Sequence, residues 1–364
     1  MRLVLQAPPR GRFDWALLGA MAALITLGLL MLYTATVYED HEPFRKQAYS
    51  CAAALAVLAL VVAVPYQIWS NLSLPLWLGS LVLLAIVLVA GTEVRGSNSW
   101  LSFGPVRFQP AEAAKFTTAL LLSTYAASRQ GFGLTPRILA GMGLIVAAPV
   151  GLILMQPDLG STLPFFPLLG VAVFLSGVRW KTIIAVMLLG VLCIPAFWLL
   201  LKPYQKERVM IFLEPGLDPK GVGWQVLQSR IAVGSGGLLG KGLGDGSQAQ
   251  LNFLPDRHTD FIFSVLAEEI GFAGTASALL LYGILLYGCV ASARAARDRL
   301  GLFLCMTVAA LLGSQIIINV GVILGLMPTA GIPLPLMSYG GSSLVTSVGA
   351  LGLVLNVRMR CLVN

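Results

Sequence analysis

The stretch FLPDRHTDFIF, residues 253–263, sets Asp256, Arg257, His258 and Asp260 directly before the apolar run Phe261 to Leu266. A carboxylate at such a threshold can accept a proton from a substrate hydroxyl, provided partial burial raises its proton affinity. Thr259 or Asp260 also stands where a helix N-cap belongs, and a helix N-terminus stabilises an anion there. General base and simple cap are both open on spacing alone.

Three further clusters carry polar groups into apolar surroundings. In FQPAEAAKF, Pro110 suits a first helical turn, and Glu112 and Lys115, three apart, share one helix face. They are either an ion pair that lets two charges enter the bilayer edge together, or a lysine facing a ligand's anionic group with Glu112 orienting it. In MQPDLGST, Asp158 precedes Gly160, Ser161 and Thr162, a pattern that serves a binding turn or an ordinary helix start. In IPLPLMSYGGSSL, Pro333, Pro335, Gly340 and Gly341 break the backbone ahead of Ser342 and Ser343. Such backbone at membrane depth lines a cavity or kinks a helix. Glu268 and Glu269 follow Asp260 by about two helical turns, roughly 12 Å at 1.5 Å per residue. Adjacent residues point apart, so at least one of the two should find a polar partner in the bundle.

The elements that hold these clusters are membrane spans. Hydrophobic residues make up 57% of the 364-residue chain and charged residues 11%, against about 25% in soluble domains. The mean hydropathy is +0.84. A crossing helix needs about 20 apolar residues. Ten stretches qualify: 14–33, 46–64, 72–90, 111–126, 138–155, 161–177, 182–201, 260–290, 302–326 and 337–357, of which the fourth and sixth are short. The first reads as a retained anchor, since its apolar run is too long for a signal peptide. The fold class is therefore an all-α polytopic membrane protein, one integral membrane domain over 1–364, with a long extracytoplasmic loop, 202–259, between spans seven and eight.

Charge sets the orientation. With the N-terminus in the cytoplasm, the inner side receives Arg2, Arg10, Arg12, Arg129, Arg137, Arg179, Lys181, Arg294, Arg297, Arg299, Arg358 and Arg360, half of the 24 basic residues. Of the acids, only Asp14 and Asp298 fall inside. Both termini are then cytoplasmic, and all four polar clusters face out. The net charge of +8 is mostly this orientation signal; no dense basic patch with interleaved aromatics points to nucleic acid.

Other chemistry is thin. Cys51, Cys193, Cys289, Cys305 and Cys361 stand singly, and His41 and His258 lie far apart, so neither disulfide nor structural zinc is expected. The glycine stretch 234–246 has Ser235 and Gly242 where a phosphate-binding GxxxxGK[ST] loop needs Gly and Ser or Thr, and reads as flexible turns. Trp224, Leu227 and Ile231 recur at helical spacing, as in a short helix lying on the outer membrane surface. Carboxylates, a lysine and arginines around an outward cavity fit an amphiphile with an anionic head. An enzyme acting on a lipid-linked substrate and a transporter fit equally.

GSNSWLSFGPVRFQPAEAAKF, QPDLGS, FLPDRHTDFIFSVLAEEIG and IPLPLMSYGGSSL together resemble the SEDS proteins (shape, elongation, division and sporulation), and the RHTDF wording is closest to the RodA type rather than the FtsW type. The resemblance implies a peptidoglycan glycosyltransferase of the bacterial inner membrane that polymerises lipid II and releases undecaprenyl pyrophosphate. It implies Asp260 as general base, with Asp256 second choice because many relatives carry Glu there. It implies Glu112 and Lys115 as a charged pair facing the same cavity, and a class B penicillin-binding protein as partner. Arg257, His258, Asp158, Ser342 and Ser343 complete the expected substrate-binding set. No resident cofactor is expected; a divalent cation, Mg or Mn, could bridge a carboxylate and the pyrophosphate. The rivals are a lipid II flippase, which needs an inward-open path, and a scaffold that only recruits the penicillin-binding protein.

Overall fold

The structure, a computed structural model, describes residues 14–36, 41–94, 97–103, 106–129, 135–178, 184, 188, 192, 199, 203–214, 218, 221–251 and 253–361. Its helices are α1 (Trp15–Ala35), α2 (Glu42–Ala63), α3 (Tyr66–Asn71), α4 (Ser73–Ala90), α5 (Pro110–Ser128), α6 (Pro136–Met155), α7 (Phe165–Leu175), α8 (Pro203–Leu213), α9 (Val222–Ser235), α10 (Ser247–Gln250), α11 (Ile262–Ala295), α12 (Arg299–Ile323) and α13 (Gly341–Arg360). Local signals set their starts. Asp14 caps α1 by accepting from Leu17 N–H at 3.0 Å, and Asp298 caps α12 through Gly301 N–H at 2.8 Å. The two acids expected on the cytoplasmic side are thus both helix caps. Pro110 and Pro136 open α5 and α6, where a missing N–H costs nothing.

Among the described residues, α1, α2, α4, α6, α11, α12 and α13 are long and apolar enough to cross a membrane. Leu55, Leu60, Val82, Ile86 and Val89 on α2 and α4 point outward, a surface suited to hydrocarbon rather than water. The chain is a mostly helical, polytopic membrane protein. The two expected spans that fall short are the short ones, four and six. α5 is a full helix but carries Glu112, Lys115 and several hydroxyls, and α7 has 11 residues. Span seven, 182–201, lies almost wholly outside the described residues.

α5 runs through the middle of the bundle, buried on nearly every side. Its hydroxyls pair across to three neighbours: Thr124 with Ser70 of α3 at 2.9 Å, Thr117 with Ser80 of α4 at 2.9 Å, and Ser123 with Thr307 of α12 at 2.8 Å. Helices packed in hydrocarbon use such small polar contacts where no hydrophobic force draws them together.

The all-α expectation needs a correction. β1 (Thr92–Val94), β2 (Ser97–Phe103) and β3 (Val106–Phe108) form a three-stranded antiparallel sheet in the order β1-β2-β3, pairing Leu101 with Phe108 and Ser102 with Arg107. Buried Leu101 is followed by exposed Ser102, as on a half-buried strand, and the sheet leads into α5.

The long loop also differs from expectation. The helix expected around Trp224, Leu227 and Ile231 is α9, and one of its faces packs into the protein. It turns Ser229 and Ala232 into the bundle, pairs Ser229 Oγ with Ser264 Oγ of α11 at 2.9 Å, and leaves Leu227 and Ile231 outside. The glycine stretch is a structural insert rather than free turns. Gly271 breaks α11 with φ of 72°, a value only glycine adopts cheaply. In an unbroken helix the N–H groups of 272 and 273 would bond to the carbonyls of 268 and 269. Here Phe272 and Ala273 N–H donate to the carbonyls of Gly237 and Leu238 at 2.9 and 3.0 Å. Lys241 and Gly242 N–H take the carbonyls of Glu268 and Glu269 at 2.9 and 3.1 Å. All four freed groups are satisfied by the loop, as they must be inside a bundle. Glu268, fully buried, finds its expected polar partner here: its carboxylate accepts from Lys241 Nζ at 2.6 Å, Ser247 Oγ at 3.0 Å and Gln248 N–H at 3.1 Å. Glu269 is buried beside Thr34 and Gly244.

Gly271→Ala would place a Cβ against Gly240 N and Leu238. Backbone strain of this kind costs on the order of 1–3 kcal/mol. Hydrogen exchange should show residues 236–242 losing protection while α5 keeps it; unchanged protection of 236–242 would contradict the exchange of partners described above.

Candidate active site

The aspartate-bearing turn is set by its backbone. Residues 255–261 form a run of turns that ends at Phe261, the N-cap of α11. The N-cap position falls on Phe261 rather than on Thr259 or Asp260, so the capping expectation shifts along the chain: Asp260 precedes the helix and is half-buried. Asp256 is buried at 9% exposure, and its carbonyl accepts from Thr259 and Phe261 N–H at 3.1 and 3.3 Å. Arg257 is 2% exposed and donates Nε to the carbonyl of Ala35, at the end of α1, at 2.8 Å. A cation at a helix C-terminus is favourable. That contact anchors the turn to α1, so the Arg257 expected to bind substrate is also part of the turn's own support. His258 is half-buried with its ring edge-on to Tyr339, centroids 5.7 Å apart.

What positions Asp260 is the broken segment before α13. Residues 332–340 form an irregular stretch, not a kinked helix, and α13 begins only at Gly341. The stretch passes over α1 so closely that a Cβ on Gly28 would lie 2.6 Å from Met337 Cα, which is why residue 28 must be glycine. Leu336 takes φ of 68°, an unusual conformation for a branched side chain. Irregular backbone buried in a bundle needs a partner for each polar group, and three helices supply them. Asn319 of α12 donates Nδ2 to Ile332 O at 2.9 Å, Tyr282 of α11 donates Oη to Pro335 O at 2.6 Å, and Gln47 of α2 donates Nε2 to Ser338 O at 3.2 Å while accepting from Gly340 N–H at 3.1 Å. Ser338 Oγ accepts from Leu334 N–H at 2.8 Å and donates to Thr259 O at 2.6 Å. Tyr339 N–H donates to His258 O at 2.9 Å. The same Asn319 amide also reaches Asp260 O at 3.0 Å.

The other end of this segment meets the remaining clusters. Ser342 Oγ accepts from Gln109 N–H at 3.1 Å, and the Gln109 amide donates to Asp158 Oδ2 at 3.3 Å. Asp158 holds its own turn, accepting from Ser161 N–H at 3.1 Å and Ser161 Oγ at 2.7 Å. Ser343 lies beside Ser342, buried in the first turn of α13. One turn into α5, Lys115 Nζ and Glu112 Oε1 are 2.6 Å apart with side chains 2% and 3% exposed. The spacing thus gives an ion pair, and a buried one: separating it would leave an uncompensated charge. All four clusters stand at one end of the bundle, and residues 332–342 connect the Asp260 turn to the Gln109–Asp158–Ser342 node.

Gln47, Gln109, Tyr282 and Asn319 were not among the expected site residues. Asn319 and Gln47 are amides in otherwise apolar helices, where an unsatisfied polar group is costly. That cost is the signal that would have found them.

The chain can now be placed. A family model for a cell cycle protein, covering FtsW, RodA and SpoVE, matches residues 15–361. The chain belongs to this family. It is 39% identical over 361 residues to the probable peptidoglycan glycosyltransferase FtsW of Thiomicrospira cyclica, covering 94% of this chain and 91% of that protein. It is 35% identical over 349 residues to the peptidoglycan glycosyltransferase MrdB of Escherichia coli K12, covering 94% and 93%. A solved chain from a peptidoglycan synthase complex that coordinates polymerization and crosslinking matches with TM-score 0.84 and 35% identity over 97% of this chain and 99% of that one. The Rod shape determining protein RodA of Thermus thermophilus matches with TM-score 0.73 and 33% identity over 98% and 100%.

Asn319→Leu removes the amide shared by Asp260 O and Ile332 O. Leaving such buried acceptors unsatisfied costs about 1–3 kcal/mol each. The variant should melt earlier and lose hydrogen-exchange protection in 256–261 and 332–340 together. Loss confined to one of the two segments would separate them.

Proposed function

We propose that this chain is a peptidoglycan glycosyltransferase that polymerises lipid II, with Asp260 as general base. The observation that carries the assignment is the placement of Asp260: a half-buried carboxylate outside the helix, its backbone held by Asn319 and its neighbour Thr259 held by Ser338. Asp256, nearly sealed, remains second. The glycosyltransferase names of the FtsW and MrdB relatives support the reaction class.

In the proposed step, Asp260 takes the proton from the 4-hydroxyl of the acceptor sugar. That oxygen forms a bond to C1 of the donor as the C1–oxygen bond to the pyrophosphate breaks. The electron pair leaves with undecaprenyl pyrophosphate, and attack from the opposite face turns an α-linked donor into a β-linked glycan. Charge grows on the leaving group, so preorganised cations and donors lower the barrier. Lys115, oriented by Glu112, is the candidate cation; Gln109, Asp158 and Ser342 would bind sugar or peptide hydroxyls and amides. A Mg or Mn ion would bridge a carboxylate and the pyrophosphate of the substrate. No step above depends on it.

The reading includes ten spans in one domain over 1–364, both termini in the cytoplasm and the site on the outer face of the inner membrane, as the arginine distribution supports. A class B penicillin-binding protein is the proposed partner, supported by the match to a chain of a synthase complex.

Asp260→Asn keeps the backbone carbonyl that Asn319 holds and removes only the base. With the purified protein, its partner and lipid II, polymer formation should fall about 10²–10⁴-fold, the usual weight of general-base catalysis, with the melting temperature unchanged. Full activity would remove Asp260 from the mechanism. Lys115→Ala should lower turnover of donor; unchanged kinetics in a folded variant would reduce the Glu112–Lys115 pair to a structural role.

A further inference from the structure

The end of the bundle opposite Asp260 holds a cavity of about 480 Å³ lined by Pro65, Tyr66, Gln67, Arg297, Asp298 and Arg360. Its walls are fixed by one buried amide. Asn356 donates Nδ2 to Val61 O at 2.6 Å, and its Oδ1 accepts from Tyr66 N–H at 3.2 Å and Arg360 Nε at 2.9 Å. Arg360 also donates Nη2 to Ala63 O at 2.8 Å. The end of α2, the start of α3 and the last turn of α13 are thereby locked around the opening. The mechanism above uses none of these residues.

The lining chemistry selects an anion. Two guanidinium groups and a carboxamide are donors suited to phosphate oxygens. The Tyr66 phenol is buried and hydrogen-bonded to the Asp298 carboxylate, which together push it up from its ordinary pKa, so it shapes the wall and holds that acid. Asp298 is the opposing charge, and its carboxylate is engaged as the N-cap of α12 through Gly301 N–H. Arg294 and Arg358, in the last turns of α11 and α13, and Arg299, at the start of α12, carry further positive charge at the same end. The volume falls within the range of small-molecule pockets, about 300–1,000 Å³, and is roomy for a bare inorganic anion. Beside the opening, Ile68 and Leu72 of α3 and the neighbouring Leu74 of α4 are exposed at 46%, 44% and 52%. A polar, arginine-lined cavity opening beside apolar surface is the arrangement that accommodates a phosphate-headed lipid at a membrane boundary.

We propose that the cavity between Tyr66, Arg297 and Arg360 binds the phosphodiester headgroup of an anionic phospholipid, whose chains lie along α3 and α4. This site is separate from that of lipid II and does not depend on the glycosyltransferase reading.

The test uses the full chain in detergent micelles. Phosphatidylglycerol should raise the melting temperature by about 2–4 °C, the shift expected of a ligand well above its dissociation constant, and phosphatidylcholine should not. Arg297→Gln should lose most of the shift measured from its own lipid-free melting temperature; Arg360→Gln should lose it too, from a lower starting temperature because two hydrogen bonds go. An equal, Arg297-dependent shift from inorganic phosphate alone would keep the anion site and overturn the lipid as its source. No shift with phosphatidylglycerol, or one undiminished in Arg297→Gln, would overturn the proposal.

Discussion

A buried peptide group must find a hydrogen-bond partner, and in this chain that constraint falls hardest on residues 332–340. The segment lies among helices without being one, so it cannot satisfy itself. Gln47, Tyr282 and Asn319 reach it from three different helices, and Ser338 closes it from within. Two of these contacts extend further: Asn319 also holds the Asp260 carbonyl and Ser338 the Thr259 carbonyl. The position of the proposed base is therefore inherited from amides anchored in the spans. Polar side chains deep in the bundle and the reactive carboxylate at its end belong to one network.

The same rule explains the second irregularity. Breaking α11 at Gly271 frees two carbonyls and two N–H groups, and the glycine-rich loop supplies the complement to all four. Lys241 then neutralises the fully buried Glu268. A long loop and a broken span, each costly alone, become acceptable together. Their joint effect is to stiffen the start of α11, immediately after Asp260.

Much of the architecture was legible because the bilayer demands it. Apolar length located α1, α2, α4, α6, α11, α12 and α13, and the cost of charge in hydrocarbon pointed to Glu112, Lys115, Asp158 and Asp260. The strands β1 to β3 leave little mark on the sequence because three short strands barely alter local composition and β2 carries no strict alternation. Arg257 and Asp256 look alike with Asp260 in sequence; only packing separates the buried pair from the half-open carboxylate. Gln47 and Asn319 carry no charge to mark them in the sequence, although an amide in a span needs its partner just as strictly.

The central claim is that a carboxylate held outside the head of α11 takes a proton from a sugar hydroxyl. An experimental structure of the chain with donor and acceptor lipid II bound tests it most directly. The account predicts an Asp260 carboxylate oxygen within hydrogen-bond reach of the acceptor 4-hydroxyl, about 2.6–3.2 Å or through one water, with the Asn319 contact to Asp260 O intact. An acceptor hydroxyl seated against a different base, with Asp260 turned away into the bundle or the lipid, would contradict it.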